Sequence, residues 1–122
     1  MDINEGIARY FAKYTAGTVH CIEEPSGLTL FLSGPLDLAC SRDVQNLLSW
    51  IIGQLEVRTR LVIDLSEVNY ISSTGVGSLA SGLMEARKRN IPLLLRNMQP
   101  RVRSVFELLG LMNFFDEVGG NV

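Results

Sequence analysis

The chain alternates between two spacings of apolar residues, and the switches between them divide it into elements. "TVHCIEE" and "LTLFLSG" are rich in strand-forming residues and flank a Pro25-Ser26-Gly27 turn signal, so a β-hairpin is expected from about Thr18 to Gly34. In "LACSRDVQNLLSWIIGQLE", Val44, Leu47, Leu48, Ile51, Ile52 and Leu55 recur at steps of three and four, the period of a helix with one buried side. Ser41 is its N-cap candidate, and Asp43 falls in the expected first turn. Trp50 lies off that stripe, as a partly covered edge residue or as a surface anchor for a partner.

"RLVIDLS" has almost no polar alternation, which suits a strand covered on both faces. Helical spacing returns from Gly75 with Val76, Leu79, Ala80, Leu83 and Ala86. It closes on Arg87, Lys88 and Arg89, whose charges complement the negative end of a helix dipole. "PLLLRNM" is another strand. "QPRVRSVFELLGL" is a helix with Pro100 in its first turn, Val102, Val105, Phe106 and Leu109 inward, and Gly110 as its stop. "MNFFDEV" adds a turn or an edge strand. The order strand, strand, helix, strand, helix, strand, helix predicts one α/β domain with a mixed sheet of about four to five strands.

That domain is expected over residues 18–118, with 119–122 as a loose tail. Ahead of it, Ile3, Ile7, Phe11 and Tyr14 outline an extra amphipathic helix over residues 1–17, ended by Gly17. This helix either packs on the domain or serves as an arm for a partner or for a homodimer.

Composition narrows the functional classes. With 122 residues, 47% of them hydrophobic and 20% charged, the chain can bury a proper core as one domain. A net charge of −2 leaves no basic footprint for a phosphate backbone, so no nucleic-acid partner is expected. No segment reaches the ~18 apolar residues of a membrane span, and Asp2 and Glu5 oppose a signal peptide. A cytoplasmic protein without membrane insertion is the expectation. Cys21 and Cys40 lack metal-ligand spacing. The single histidine, His20, adjoins Cys21, but neighbours on a strand point to opposite faces. Reduced thiols are expected, with no metal and no cofactor.

The stretch "DLSEVNYISSTGVGSL" carries the chemistry. Ser72, Ser73 and Thr74 stand where a strand hands over to a helix, a place where backbone N–H groups lack partners and negative charge is favoured. One hydroxyl can be a cap, with Ser73 or Thr74 as the candidates, and Gly75 and Gly77 allow close backbone approach. A nucleophile elbow needs a different glycine spacing, and no base stands near. A phosphate-binding loop needs a lysine that is absent. No catalytic residue is therefore assigned, and the chain is not expected to be an enzyme. Phosphorylation remains, because about −1.5 to −2 charges here would suit the helix start while altering the exposed loop. Asp37, after the second strand, is expected near the same end of the sheet.

Three stretches, "SGPLDL", "LVIDLSEVNYISSTGVGSL" and "IPLLLRNMQPRVRSVFELLGLMNFFDEV", together resemble the STAS domains of bacterial anti-sigma-factor antagonists over roughly Val19 to Val118. The resemblance implies a binding module that captures an anti-sigma factor, itself usually a serine kinase. That kinase inactivates the module by phosphorylating the serine after the motif's Asp, and a PP2C-type phosphatase restores it. By position the acceptor is Ser73, with Ser72 as the alternative. Asp37, Ser72, Thr74, Gly75 and Gly77 form the partner-binding surface. This chain departs from the motif in having Ser72 where the family has Asp. A STAS subunit of a transport or signalling-scaffold assembly, not acting on a sigma factor, is the second reading.

Overall fold

Two hydrophobic periods coexist in this chain because a sheet of period two is covered by helices of period 3.6. The structure, a computed structural model, describes residues 19–24, 27–56 and 59–118. The expected N-terminal helix and the tail lie outside these. The order is β1 (Val19–Glu24), β2 (Gly27–Leu36), α1 (Leu38–Gln54), β3 (Arg60–Ile71), α2 (Ser73–Lys88), β4 (Leu93–Arg96) and α3 (Pro100–Leu108). A 3-10 turn (Met112–Phe114) and β5 (Asp116–Glu117) follow. The strands lie side by side in chain order; β1 and β2 are antiparallel, and the pairs from β2 to β5 are parallel. Parallel neighbours require a crossover, and α1, α2 and α3 supply them. The expected hairpin, mixed sheet and alternating helices are all present.

One parity of the sheet builds the core. Leu28, Leu30 and Leu32 of β2, Leu61, Ile63 and Leu65 of β3, and Leu93 and Leu95 of β4 join Leu47, Leu48, Ile51, Val76, Leu79, Leu83, Val102 and Phe106 in one buried cluster. Phe106 is edge-on to Phe115, with ring centroids 5.4 Å apart. Trp50 packs on the cluster's border, as an edge residue does. Arg87 donates to the Phe114 carbonyl at 3.0 Å and lies over its ring, so this helix-end cation is used within the fold.

Four expectations need correction. Helix α1 begins at Leu38, not at Ser41: the Ser41 N–H donates to the Asp37 carbonyl at 3.1 Å, which puts Ser41 inside the first turn and Asp43 in the second. The apolar stripe gives no sign of this, because Leu38 is 73% exposed. Strand β3 does not stop at Ser66; a shifted register lets it pair with β2 as far as Ile71, and Val68 and Ile71 are buried. Leu109, the C-cap of α3, is not inward but 41% exposed. Gly110, at φ +72°, ends that helix as expected, and the Leu111 N–H returns to the Phe106 carbonyl at 2.9 Å.

On the other parity, Asp64 is 2% exposed and accepts from Ser66 N (2.9 Å), Arg96 Nε (2.8 Å) and Asn97 Nδ2 (3.1 Å). It clasps β3 to the turn after β4, where Asn97 sits at φ +57°. Burial pushes its carboxyl up, but hydrogen bonds from Ser66, Arg96 and Asn97 outweigh this and hold it below the usual aspartate range. A lowered folded pKa means the clasp stabilises fully above the unfolded value, near 4, and fades as pH falls through the lower folded one. Asp64→Ala is expected to cost on the order of 3 kcal/mol in a denaturant titration at neutral pH. Asp64→Asn should lose less stability than wild type on acidification from about pH 5 to about pH 2.

Candidate functional site

The ends of β2 and β3 are joined through their last pair, Leu36 with Ile71. The next residues, Asp37 and Ser72, therefore leave the sheet side by side, which brings together the acidic residue and the hydroxyl turn as expected. The Ser72 N–H donates to the Leu36 carbonyl at 3.0 Å, extending the ladder by one bond beyond the strand.

Ser72 is the N-cap of α2. Its backbone is extended (φ −93°, ψ 170°), its Oγ accepts from the Gly75 N–H at 3.1 Å, and its carbonyl accepts from the Val76 N–H at 3.0 Å. This corrects the expectation that Ser73 or Thr74 caps the helix. The cap falls where the family motif has Asp, and Ser and Asp are both good N-caps because each offers an oxygen to the unpaired N–H groups of the first turn. Ser72 Oγ also lies 2.8 Å from Thr74 Oγ1 and 3.4 Å from the Leu36 carbonyl. Two of the three hydroxyls are thus engaged with each other. Ser73, the first helical residue, is exposed, and its hydroxyl has no partner among the described residues.

The two glycines differ. A Cβ on Gly75 would collide with the Leu36 carbonyl oxygen and come within 2.8 Å of Ile71 Cγ1, so the helix start can sit against the strand ends only without a side chain there. At Gly77 an added Cβ meets nothing within 4 Å, so the expected close approach is absent there.

Sequence reasoning missed two contributions. Ser78 is 3% exposed, and its Oγ lies 2.7 Å from the Ser41 carbonyl and 3.0 Å from the Thr74 carbonyl, tying the first turns of α1 and α2 together. The signal was a small polar residue inside the apolar stripe, next to Leu79. Leu38 and Tyr70, 73% and 50% exposed, follow Asp37 and precede Ile71, leaving large apolar side chains beside the turn. Asp37 and Ser73 supply polar groups on the same surface.

No group of His, Cys, Asp and Glu among the described residues could hold a metal ion. A family model for the STAS domain matches residues 18–122. This chain belongs to the STAS domain family. An anti-sigma-B factor antagonist from Listeria monocytogenes is 29% identical over 100 residues, which cover 77% of this chain and 86% of that protein. Among solved structures, an anti-sigma factor antagonist from Mycobacterium paratuberculosis is 21% identical, with a TM-score of 0.69 over 86% of this chain and 87% of that one. The anti-sigma factor antagonist SpoIIAA in its unphosphorylated form is 22% identical, with a TM-score of 0.67 over 83% and 88%. At these identities the two structures show the STAS fold alone.

Ser72→Ala in this STAS domain is expected to cost about 1 kcal/mol through loss of the cap, whereas Ser72→Asp should retain most of it. Urea unfolding of the three proteins checks the order.

Proposed function

We propose that this STAS protein is an anti-sigma-factor antagonist, which captures an anti-sigma factor through the surface around Asp37, Leu38, Tyr70 and Ser72 to Gly75. The observation that carries this reading is the division of labour among the three hydroxyls: Ser72 caps the helix, Thr74 is bonded to Ser72, and Ser73 alone presents an unengaged hydroxyl to solvent. Kinship with the Listeria antagonist, most of whose length it matches, supports the same partner class.

Ser73 is the phosphate acceptor in this reading, and the anti-sigma factor is the serine kinase that modifies it. Its Oγ attacks the γ-phosphorus of ATP, the bond to ADP breaks, and the seryl proton passes to a base of the kinase. A PP2C-type phosphatase reverses the change by hydrolysis. The new dianion stands on the first turn of α2, where the helix dipole favours negative charge by about 0.3–1 kcal/mol, so the fold tolerates it. The binding surface does not: a dianion beside Asp37 and the apolar pair Leu38 and Tyr70 must be desolvated when a partner closes over it. Capture ends without refolding.

With the cognate kinase and ATP, wild type and Ser72→Ala should each gain one phosphate, and Ser73→Ala none, by intact-protein mass spectrometry. Ser73→Asp should weaken partner binding at least tenfold by calorimetry, about 1.4 kcal/mol. Phosphate on Ser72 of the Ser73→Ala variant would contradict the assignment.

A further inference from the structure

Helices α1 and α2 start from adjacent strand ends, and the bonds between them show how far each has advanced. Ser78 of α2 meets Ser41 of α1, and further along Glu85 meets Ser49, at chain separations of 37 and 36 residues. So nearly constant an offset means that the two helices run parallel and in step. Between these ties Gly82 faces Leu48, close enough that a Cβ there would come within 2.9 Å of Leu48 Cδ1. Apolar contact holds two helices together but has no direction, so it resists small slides along their axes poorly. A polar bond within such a seam selects one register.

The two ties are unequal. Ser49 is exposed, and its bonds to the two Glu85 carboxylate oxygens, 3.0 Å each, compete with water. Ser78 is 3% exposed, and its hydroxyl donates to the Ser41 carbonyl at 2.7 Å where water does not compete. A slide of one residue's rise, about 1.5 Å, would take this bond beyond hydrogen-bond length. The Thr74 carbonyl, one turn back in α2, lies 3.0 Å from the same hydroxyl. A helical serine can satisfy its proton on that carbonyl alone, and alanine would favour the helix more. Folding therefore does not require the cross-helix bond, which leaves the register as what it sets.

Both ends of this tie run on into the candidate site. The Ser41 N–H donates to the Asp37 carbonyl at 3.1 Å and its Oγ to the Leu38 carbonyl at 3.2 Å. On the other side, Thr74 Oγ1 lies 2.8 Å from the Oγ of the cap, Ser72. One chain of polar contacts thus joins Asp37 and Leu38 to Ser72 and Thr74 through Ser78.

We infer that Ser78 is a positioning residue: its hydroxyl locks the axial register of α1 against α2 and so sets Asp37 and Leu38 at a fixed height relative to residues 72–75. The consequence for partner capture rests on the antagonist reading; the register lock does not. Without the lock both helices stay packed, but the two halves of the surface that a partner reads no longer keep one spacing.

NMR on the full chain tests this with Ser78→Ala and with the pair Ser78→Thr and Ser78→Val, whose new side chains share a shape and differ in the hydroxyl. In wild type the Ser78 hydroxyl proton should be protected from solvent exchange and show Overhauser contacts to Ser41 and Arg42. Amides of residues 38–41 and 72–78 should show microsecond-to-millisecond exchange by relaxation dispersion in Ser78→Ala and Ser78→Val, and none in wild type or Ser78→Thr. By calorimetry, Ser78→Ala should bind the anti-sigma factor about fivefold more weakly than wild type, with the urea midpoint nearly unchanged. Hydroxyl contacts only within α2, flat dispersion in Ser78→Ala, or equal affinity of Ser78→Ala and wild type would overturn the proposal. Should the added methyl unfold both members of the pair, wild type against Ser78→Ala still decides. If wild type binds no anti-sigma factor, the antagonist reading fails, and the hydroxyl contacts and dispersion decide the register lock by themselves.

Discussion

The geometry of the candidate site depends on the hydrogen bond from the Ser72 N–H to the Leu36 carbonyl, 3.0 Å long, which holds the ends of two parallel strands together after their ladder has finished. It fixes where α2 starts relative to the end of β2, so that Asp37 and Ser72 leave the sheet side by side, each followed by the first residue of a helix. The contact is close enough that Gly75 can carry no side chain, because its Cβ would occupy the space of the same carbonyl. Ser78, reaching from the next turn to the Ser41 carbonyl at 2.7 Å, braces the arrangement from the helix side. Two polar contacts and one glycine thereby hold the run of hydroxyls in place, with the Ser73 hydroxyl left unengaged among the described residues.

Such rigidity suits regulation by charge. A covalent phosphate changes a binding surface most economically when the surrounding backbone cannot relax around it, so that the added desolvation falls on the partner's docking. In the proposed reading the acceptor, Ser73, sits on a helix start whose dipole would stabilise a phosphate, and Asp37, Leu38 and Tyr70 belong to the surface whose partner binding the phosphate would oppose. The Asp64 clasp, on the opposite parity of β3, holds that strand in register with the β4 turn and keeps the base of the platform fixed.

Much of this was legible in the residues. The periods of Val44 to Ile52 and of Val76 to Ala86 marked two helices, the Pro25-Ser26-Gly27 signal marked the antiparallel pair, and the "ISSTG" junction marked the start of α2 at the strand end. What escaped has physical reasons. The start of α1 is set by a backbone bond to the Asp37 carbonyl, and Leu38, its first residue, is exposed and so adds nothing to the apolar stripe. The extension of β3 to Ile71 requires a register shift against β2, and a shift is a property of two strands that neither strand's pattern records. The choice of Ser72 as cap could not be separated from Ser73 or Thr74 by residue type, because all three offer the same oxygen; only the geometry at Leu36 decides. Asp64, a lone carboxylate within an apolar strand pattern, is a buried acceptor of three hydrogen bonds, which depend on Arg96 and Asn97 more than thirty residues away.

The central claim is that phosphate on Ser73 ends partner binding without altering the fold. Amide NMR of the protein before and after quantitative phosphorylation by its kinase, with the anti-sigma factor then titrated into each form, tests it most directly. The account predicts shifts confined to Leu36–Asp37 and Ser72–Val76, an unchanged pattern over β3 and β4, and loss of the partner-induced changes. Shifts spread across the sheet, or undiminished partner binding by the phosphorylated form, would contradict it.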